Sequence, residues 1–435
     1  FSHNKLFKLP KQIEDLTLLK KFRASHNCFQ SFTGFLWKCM KLEELDFSFN
    51  EFERLPITVG NLELLKATKQ WEVGIGVLKN LKILNLQGNL FNEWPEQLDR
   101  NSKLLDMNMS QNFLTMIPPL ISKNVNLQVL DLSNNLIREL PTELYYLPIK
   151  RLILNNNCLE DLPVLVLPKA TDGSITNHGK NGLSGIKMSH IVEVNLSYNK
   201  LSSLDFRVGL FEKAKKFFAT DNNISTIHQN IGLLTDLREL NIARNKIDGE
   251  SIVGVGKCSA LTKLNFSYNC VDRLPDTFSS LRGLTQLRAS DNLIKSLPDR
   301  LFANFPGLHT MELHNNQIEV LPMSMFAMRK IVTLDISFNA IHQAIPKQLE
   351  QFSLLETLYL NNNQITELPD SISSLLRLQV LEVDNNMLTR FPVTISRCKS
   401  LKRVTTAQNR IEIKPSGLLE LPNLISWDVS WNHDM

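Results

Sequence analysis

The run Val129-Leu130-Asp131-Leu132-Ser133-Asn134-Asn135-Leu136-Ile137 decides the fold, because its pattern recurs along the whole chain. Thr333-Leu334-Asp335-Ile336-Ser337-Phe338-Asn339-Ala340-Ile341 reads the same way, with apolar residues five and three before an asparagine and two after it. Marking that asparagine outward from Asn135 gives Asn112, Asn89, Asn50, Asn27 and Asn4 in one direction. In the other it gives Asn157, Asn199, Asn222, Asn245, Asn269, Asn292, Asn316, Asn339, Asn363, Asn386, Asn409 and Asn432. Fifteen of the seventeen intervals are 22, 23 or 24 residues, a regularity that chance does not produce. Repeats of this length stack so that each touches only its neighbours, and domain counts drawn from chain length then do not apply.

Physical chemistry gives each fixed position a task. The two leucine-type residues of a short strand point inward by period-two alternation, and their neighbours point to the other face. The asparagine can hydrogen-bond backbone as the chain turns away, and stacked copies would form a polar ladder for buried peptide groups. Asn112, Asn135, Asn199, Asn245, Asn292, Asn339 and Asn386 are expected members of that ladder. A proline stands six residues after many of these asparagines, as in Leu9-Pro10, Leu140-Pro141, Leu274-Pro275, Leu368-Pro369 and Phe391-Pro392. Proline is tolerated at a helix start, so a short helical turn follows on the opposite side.

The L-P-x-x-I-x-x-L-x-x-L-x-x-L-x-L-x-x-N pattern resembles the leucine-rich repeat of the intracellular, Ras-group and adenylyl-cyclase type. The resemblance covers essentially the whole chain. It implies an α/β solenoid, a horseshoe with a concave parallel β-sheet and short helical, 3-10 or extended segments on the convex side. The expectation is one domain over 1–435, of about 18–19 repeats, whose ends fall inside repeats as in a piece of something longer. As a signature of function the pattern is weak, since its consensus positions are structural.

Two intervals break the rhythm. Asn50 to Asn89 is 39 residues, where two repeats would need about 46 at the period above. An irregular repeat near 64–77 is expected there, either a real kink or a gap in the sequence. Asn157 to Asn199 is 42 residues, and the excess at 169–186 is polar and glycine-rich, the composition of an inserted surface loop that either is tolerated or contacts a partner.

Chemistry-bearing residues do not converge. Cys39, Cys258 and Cys398 each lie 11 residues before a ladder asparagine, and Cys28, Cys158 and Cys270 one after. Equivalent positions in a stack separate by about 4.8 Å per repeat, so distant cysteines cannot meet the roughly 7 Å Cα limit of a disulfide. Reduced thiols and a cytoplasmic location are expected. The sequons at Asn108, Asn195 and Asn265 fall within strands as by-products of the consensus. His3 and His26 occupy the same position in adjacent repeats, two histidines without the further ligands a metal site needs. No phosphate loop, G-x-S-x-G, H-E-x-x-H or C-x-x-C is present, so no enzyme activity, cofactor, metal or small-molecule substrate is expected.

A net charge of +4, from 48 basic and 44 acidic side chains, gives no electrostatic footprint for nucleic acid. No apolar stretch approaches the 18 or so residues needed to span a bilayer. Partner binding is left to the concave face, where positions two, four and six before the asparagine form three rows. Toward the C-terminal end these rows carry Glu312, Asp335, Glu382, Asp384 and Asp428 against Arg403, with Arg288 one repeat earlier; near the N-terminus they carry Lys21 and Arg23. Tyr359 and Phe218 are candidate aromatic anchors in the same rows, because aromatics are enriched among interface hot spots. The expectation is a non-catalytic scaffold of intracellular signalling whose concave face binds a protein with a basic face. A regulatory repeat block of a larger enzyme (adenylyl cyclase, PP2C-type phosphatase or kinase) and a receptor ectodomain are the alternatives.

Overall fold

The computed structural model describes residues 1–31, 34–55, 74–162, 190–413 and 416–432. The chain forms two compact units, Phe1–Asn223 and Ile224–Met435. Both are leucine-rich-repeat solenoids, with a parallel sheet along one side and 3-10 turns along the other.

In the first unit the strands are β1 (Lys21–Arg23), β2 (Glu44–Asp46), β3 (Ile83–Asn85), β4 (Asp106–Asn108), β5 (Val129–Asp131), β6 (Arg151–Ile153), β7 (Glu193–Asn195), β8 (Ser203–Leu204) and β9 (Lys216–Phe218). Apart from the two-residue β8, each pairs in parallel with the next. In the second unit, after β10 (Thr226–Ile227), the strands are β11 (Glu239–Asn241), β12 (Lys263–Asn265), β13 (Gln286–Arg288), β14 (Thr310–Glu312), β15 (Thr333–Asp335), β16 (Thr357–Tyr359), β17 (Val380–Glu382), β18 (Arg403–Thr405) and β19 (Ser426–Asp428). From β11 onward each again pairs in parallel with its successor.

The strands are short because the alternating pattern lasts only three residues before the turn. The middle residue is the inward one: Leu45, Leu84, Met107 and Leu130 meet in register and are fully buried. The asparagine then closes the turn. Asn112 donates from Nδ2 to the carbonyls of Met109 and Ser110 in its own repeat, at 3.0 and 3.1 Å, and of Leu86 in the preceding one, at 3.0 Å. Its Oδ1 accepts the Phe91 amide at 3.1 Å. Asn135, Asn199, Asn292, Asn339 and Asn386 repeat this arrangement. Asn245 likewise holds Ile242, Ala243 and the Ile224 amide.

Directly before every ladder asparagine stands a residue in the left-handed region, with φ between 50° and 63°. Only Gly88 among these eighteen is glycine. Such a conformation costs an ordinary L-residue roughly 1–2 kcal/mol, so the ladder bonds must hold it in place. The side chains of this row stack from repeat to repeat: His3 on His26 and His26 on Phe49, both with ring centroids 4.4 Å apart. Next in the row, a Cβ on Gly88 would come 2.6 Å from the Phe49 ring, so glycine there serves both the backbone and the neighbouring ring. The matching positions of His3 and His26 therefore make an aromatic stack. Among the described residues no group of three or more His, Cys, Asp or Glu could hold a metal ion.

On the far side, segments such as Asp370–Ser374 form single 3-10 turns behind an extended proline. Among the described residues these turns are all 3-10. The position 11 before the asparagine carries a second set of donors. Cys39, Cys258 and Cys398 donate S–H to the carbonyls of Ile13, Ile231 and Ile372 in the preceding repeat. Asn101 and Asn124 fill the same position and donate amide hydrogens to Ile75 and Leu98. Burial pushes the Cys258 thiol up to about 12 and that of Cys398 to about 11, which makes them inert. All six cysteines are unpaired.

The two irregular intervals become legible from the register. β2 pairs directly with β3, and Asn89 reaches back to Phe47 while accepting the Phe52 amide. Among the described residues the 39-residue interval thus adds one strand to the sheet. Of the irregular 64–77 stretch, residues through 73 lie outside the described ones, and Ile75–Val77 forms a 3-10 turn. Likewise β6 pairs directly with β7, and the insertion at 169–186 lies outside the described residues. The residues just before it are tied to the following repeat by Arg207, buried in the Phe206–Phe211 turn. That guanidinium donates to the Leu162 carbonyl at 2.5 Å, to Asp205 at 2.9 Å and to Asp161. An arginine inside the apolar run Phe206-Arg207-Val208-Gly209-Leu210 was the available sequence signal for it.

Candidate functional site

The sheet has one face on the core and one in solvent, and parallel register sets the solvent face in rows. In the second unit the residues four before the asparagine run Arg288, Glu312, Asp335, Tyr359, Glu382, Thr405 and Asp428, each the register partner of the next. Strands about 4.8 Å apart place Glu312 roughly 24 Å from Asp428 along this row. Beside it, two positions later in each repeat, run Ser290, His314, Ser337, Asn361, Asp384, Ala407 and Ser430.

Seven of the eight sequence-designated contact residues, Arg288, Glu312, Asp335, Tyr359, Glu382, Asp384 and Asp428, fall on this one face. Phe218 belongs to the first unit, half-buried in β9 with Asn195 as its register partner. In that unit Lys21 and Arg23 both pair with Glu44 on the adjacent strand, at 3.1 and 2.5 Å.

Cross-strand pairing also decides how much charge the acidic row offers. Arg288 Nε lies 3.2 Å from Glu312, and Arg403 Nε 3.2 Å from Glu382. Both arginines are about half exposed, so these pairs are worth little and exchange readily for a partner's cation. Two aspartates cap their own turns, Asp335 accepting from the Ser337 hydroxyl and amide and Asp428 from the Ser430 amide, while Asp384 reaches the next repeat and accepts from the Thr405 hydroxyl and the Ala407 amide, the latter at 2.7 Å. These bonds hold the Asp428 carboxyl below its usual range. Burial, with help from Asp384 and Asp335, pushes Glu382 up. Burial beside Glu382 and Asp335 likewise raises the Tyr359 phenol. Tyr359, half-buried between the register partners Asp335 and Glu382, sets an aromatic ring between two carboxylates, a combination that attracts a cation.

His314 is a feature the sequence reading passed over. Its Nδ1 lies 3.0 Å from Asp335 Oδ2 and 2.9 Å from Ser290 Oγ, and its Nε2 lies 3.4 Å from Asp291 Oδ2. The Asp335 hydrogen bond raises the imidazole above its usual value; burial opposes this, while Asp335, Asp291 and Glu312 add to it. Burial works to raise Asp335, but its bonds to His314 and Ser337 outweigh that and hold the carboxyl low. By linkage the histidine's contribution to stability is complete below about pH 6.5 and is lost as pH rises through its raised value. That of Asp335 is present above about pH 3.9 and is lost as pH falls through its lowered one. Among the described residues no helix is long and apolar enough to cross a membrane.

Family models described as leucine rich repeat match residues 237–294 and 289–341, and, for a single repeat, 126–147 and 354–375. A leucine-rich-repeat protein of Leptospira interrogans has the same fold, with a TM-score of 0.73 and 24% identity over 98% of this chain and 94% of that one. The ectodomain of the Arabidopsis thaliana membrane receptor kinase GASSHO1/SCHENGEN3, solved in complex with Casparian strip integrity factor 2, gives a TM-score of 0.74 and 24% identity over 98% of this chain and 48% of that one. The probable serine/threonine-protein kinase pats1 of Dictyostelium discoideum is 32% identical over 105 residues, 23% of this chain, and the match spans 3% of the kinase. What the asparagine spacing implied by itself holds for sequence profile and backbone alike: this chain is a leucine-rich-repeat protein.

Proposed function

We propose that this chain is a protein-binding scaffold without catalytic chemistry of its own, and that the solvent face of its C-terminal sheet takes a basic segment of a partner protein. The observation that carries the reading is the in-register line Glu312, Asp335, Tyr359 and Glu382, with Asp384 beside it. Its span of roughly 14 Å suits about four residues of extended chain at about 3.4 Å each. Acidic rows and an aromatic ring would steer a cationic segment and fix its register. The receptor ectodomain that shares this fold was solved with a partner bound, which supports binding as the use of such a surface. Six unpaired thiols favour a reducing compartment, so we place the scaffold in the cytoplasm, in signalling. The kinase match supports a second reading, in which the same surface serves as the regulatory block of a larger enzyme.

The test is binding of a fluorescein-labelled peptide of alternating arginine and serine to the full chain. Charge reversal at three positions, Glu312→Lys with Asp335→Lys and Glu382→Lys, is expected to weaken capture by about tenfold or more. Reversal at Asp276 and Glu350, exposed on the 3-10 side, should leave it unchanged. Equal capture by both variants, with folding verified by circular dichroism, removes the reading.

A further inference from the structure

The Asp291–His314–Asp335 cluster sits at the N-terminal end of the acidic row and has a state the row itself lacks. Three successive repeats build it. Arg288, Ser290 and Asp291 come from the β13 repeat, Glu312 and His314 from β14, and Asp335 with Ser337 from β15, with Tyr359 of β16 beyond. Arg288 is engaged with Glu312, and Asn315 donates to Asp291 Oδ1 at 2.6 Å. The other oxygen of Asp291 is buried without a hydrogen bond and faces His314 Nε2. The ring therefore has a carboxylate opposite each nitrogen.

A neutral imidazole has one N–H and can serve only one of them. With the proton on Nε2 it points to Asp291, Ser290 donates its hydroxyl to Nδ1, and Asp335 keeps only its Ser337 bonds. A second proton goes to Nδ1 and turns that nitrogen into a donor to Asp335, so the imidazolium cancels one of the two carboxylate charges. In the protonated state His314 supplies the positive charge that a partner's arginine or lysine would otherwise bring.

We propose that the proton on His314 sets the charge of the docking face, so that a basic partner is held while the imidazole is neutral and is released when it is protonated. This rests on the docking reading above and adds its control. Protonation and a basic partner both supply positive charge to the same acidic face, so by reciprocity the partner must lower the affinity of His314 for its proton. The raised affinity of this imidazole in the free chain puts the changeover above the ordinary histidine value.

The experiment measures binding of the arginine–serine peptide from about pH 5.5 to about pH 8.5, a range that brackets the histidine transition. It uses the full chain and the variant His314→Gln, which keeps a polar side chain but does not titrate. The wild-type chain is expected to bind about fivefold or more tightly at the alkaline end. His314→Gln should bind nearly equally throughout, close to the wild-type alkaline value. In parallel, the His314 ring resonance should titrate above the ordinary histidine value, move lower in Asp291→Asn, and move lower again in wild type with saturating peptide. An identical pH profile in His314→Gln, or a ring titration that ignores the peptide, overturns the switch. Capture that is flat with pH yet lost on the triple charge reversal overturns the switch alone and leaves the docking face standing. Absence of peptide binding at every pH removes both.

Discussion

Asn112→Ala should lower the stability of the N-terminal unit by about 4 kcal/mol, because the buried Phe91 amide is left without a partner, at roughly 1–3 kcal/mol, and the carbonyls of Leu86, Met109 and Ser110, which keep Asn89, Asn135 and the Gly88 amide as donors, each lose one hydrogen bond worth about 1 kcal/mol. The carbonyls of Leu86, Met109 and Ser110 and the amide of Phe91 belong to two adjacent repeats, so the loss falls on their junction. In a stack held by nearest-neighbour contacts a weakened junction can part without unfolding everything else. Amide exchange at Phe91 should therefore quicken along with the fall in the urea midpoint. Asn112→Asp is the informative comparison: a carboxylate still accepts from Phe91 but donates to none of the three carbonyls. It should lose nearly as much. A change below about 1 kcal/mol in both variants would mean that water replaces the ladder, against the accounting for buried polar groups.

Phe47→Ala is the second large effect, at about 4 kcal/mol, within the range for emptying a phenylalanine site in a packed core. Phe47 is 1% exposed. Its ring meets Phe29 and Phe52 edge-on at centroid distances of 5.7 and 5.3 Å, and Phe22 at 5.3 Å. Four rings from two adjacent repeats are involved, so the cavity left behind has walls that cannot move independently. Phe47→Leu retains most of the volume and should cost less than about 1.5 kcal/mol. Phe49, two residues on, gives the contrast: at 36% exposure its ring stacks on His26, and truncation there should be felt far less. Urea titration of the three variants separates these cases. Equal losses for Phe47→Ala and Phe49→Ala would contradict the packing described.

The repeat was legible because its signals are local. Leu130, Leu132 and Asn135 lie within six residues of one another, and their spacing alone places strand, core and turn. The proline before many of the 3-10 turns was legible for the same reason. The left-handed position before each asparagine was not, since Phe49, Asn134, Asp221 and Trp431 share no side-chain chemistry and only Gly88 is glycine. There the conformation is imposed by the ladder bonds on whichever residue occupies the site. The ion pairs were hidden for a related reason. Arg288 and Glu312, or Lys21 and Glu44, stand more than twenty residues apart and meet only once the register is fixed. His314 escaped notice because its partners Asp291 and Asp335 come from the repeats on either side. The interval from Asn50 to Asn89 showed in the sequence only as a break in the period: β2 pairs directly with β3, and residues 56–73 lie outside the described ones.

A partner seated on the solvent face of the C-terminal sheet would shield the carboxylates there from carbodiimide, which a footprinting experiment reads. The full chain would be labelled alone and with the bound arginine–serine peptide. Protection should concentrate at Glu312, Asp335, Glu382 and Asp384, with Asp276 and Glu350 on the 3-10 side labelled as before. Protection on the 3-10 side with these four carboxylates unchanged would contradict binding on the sheet face.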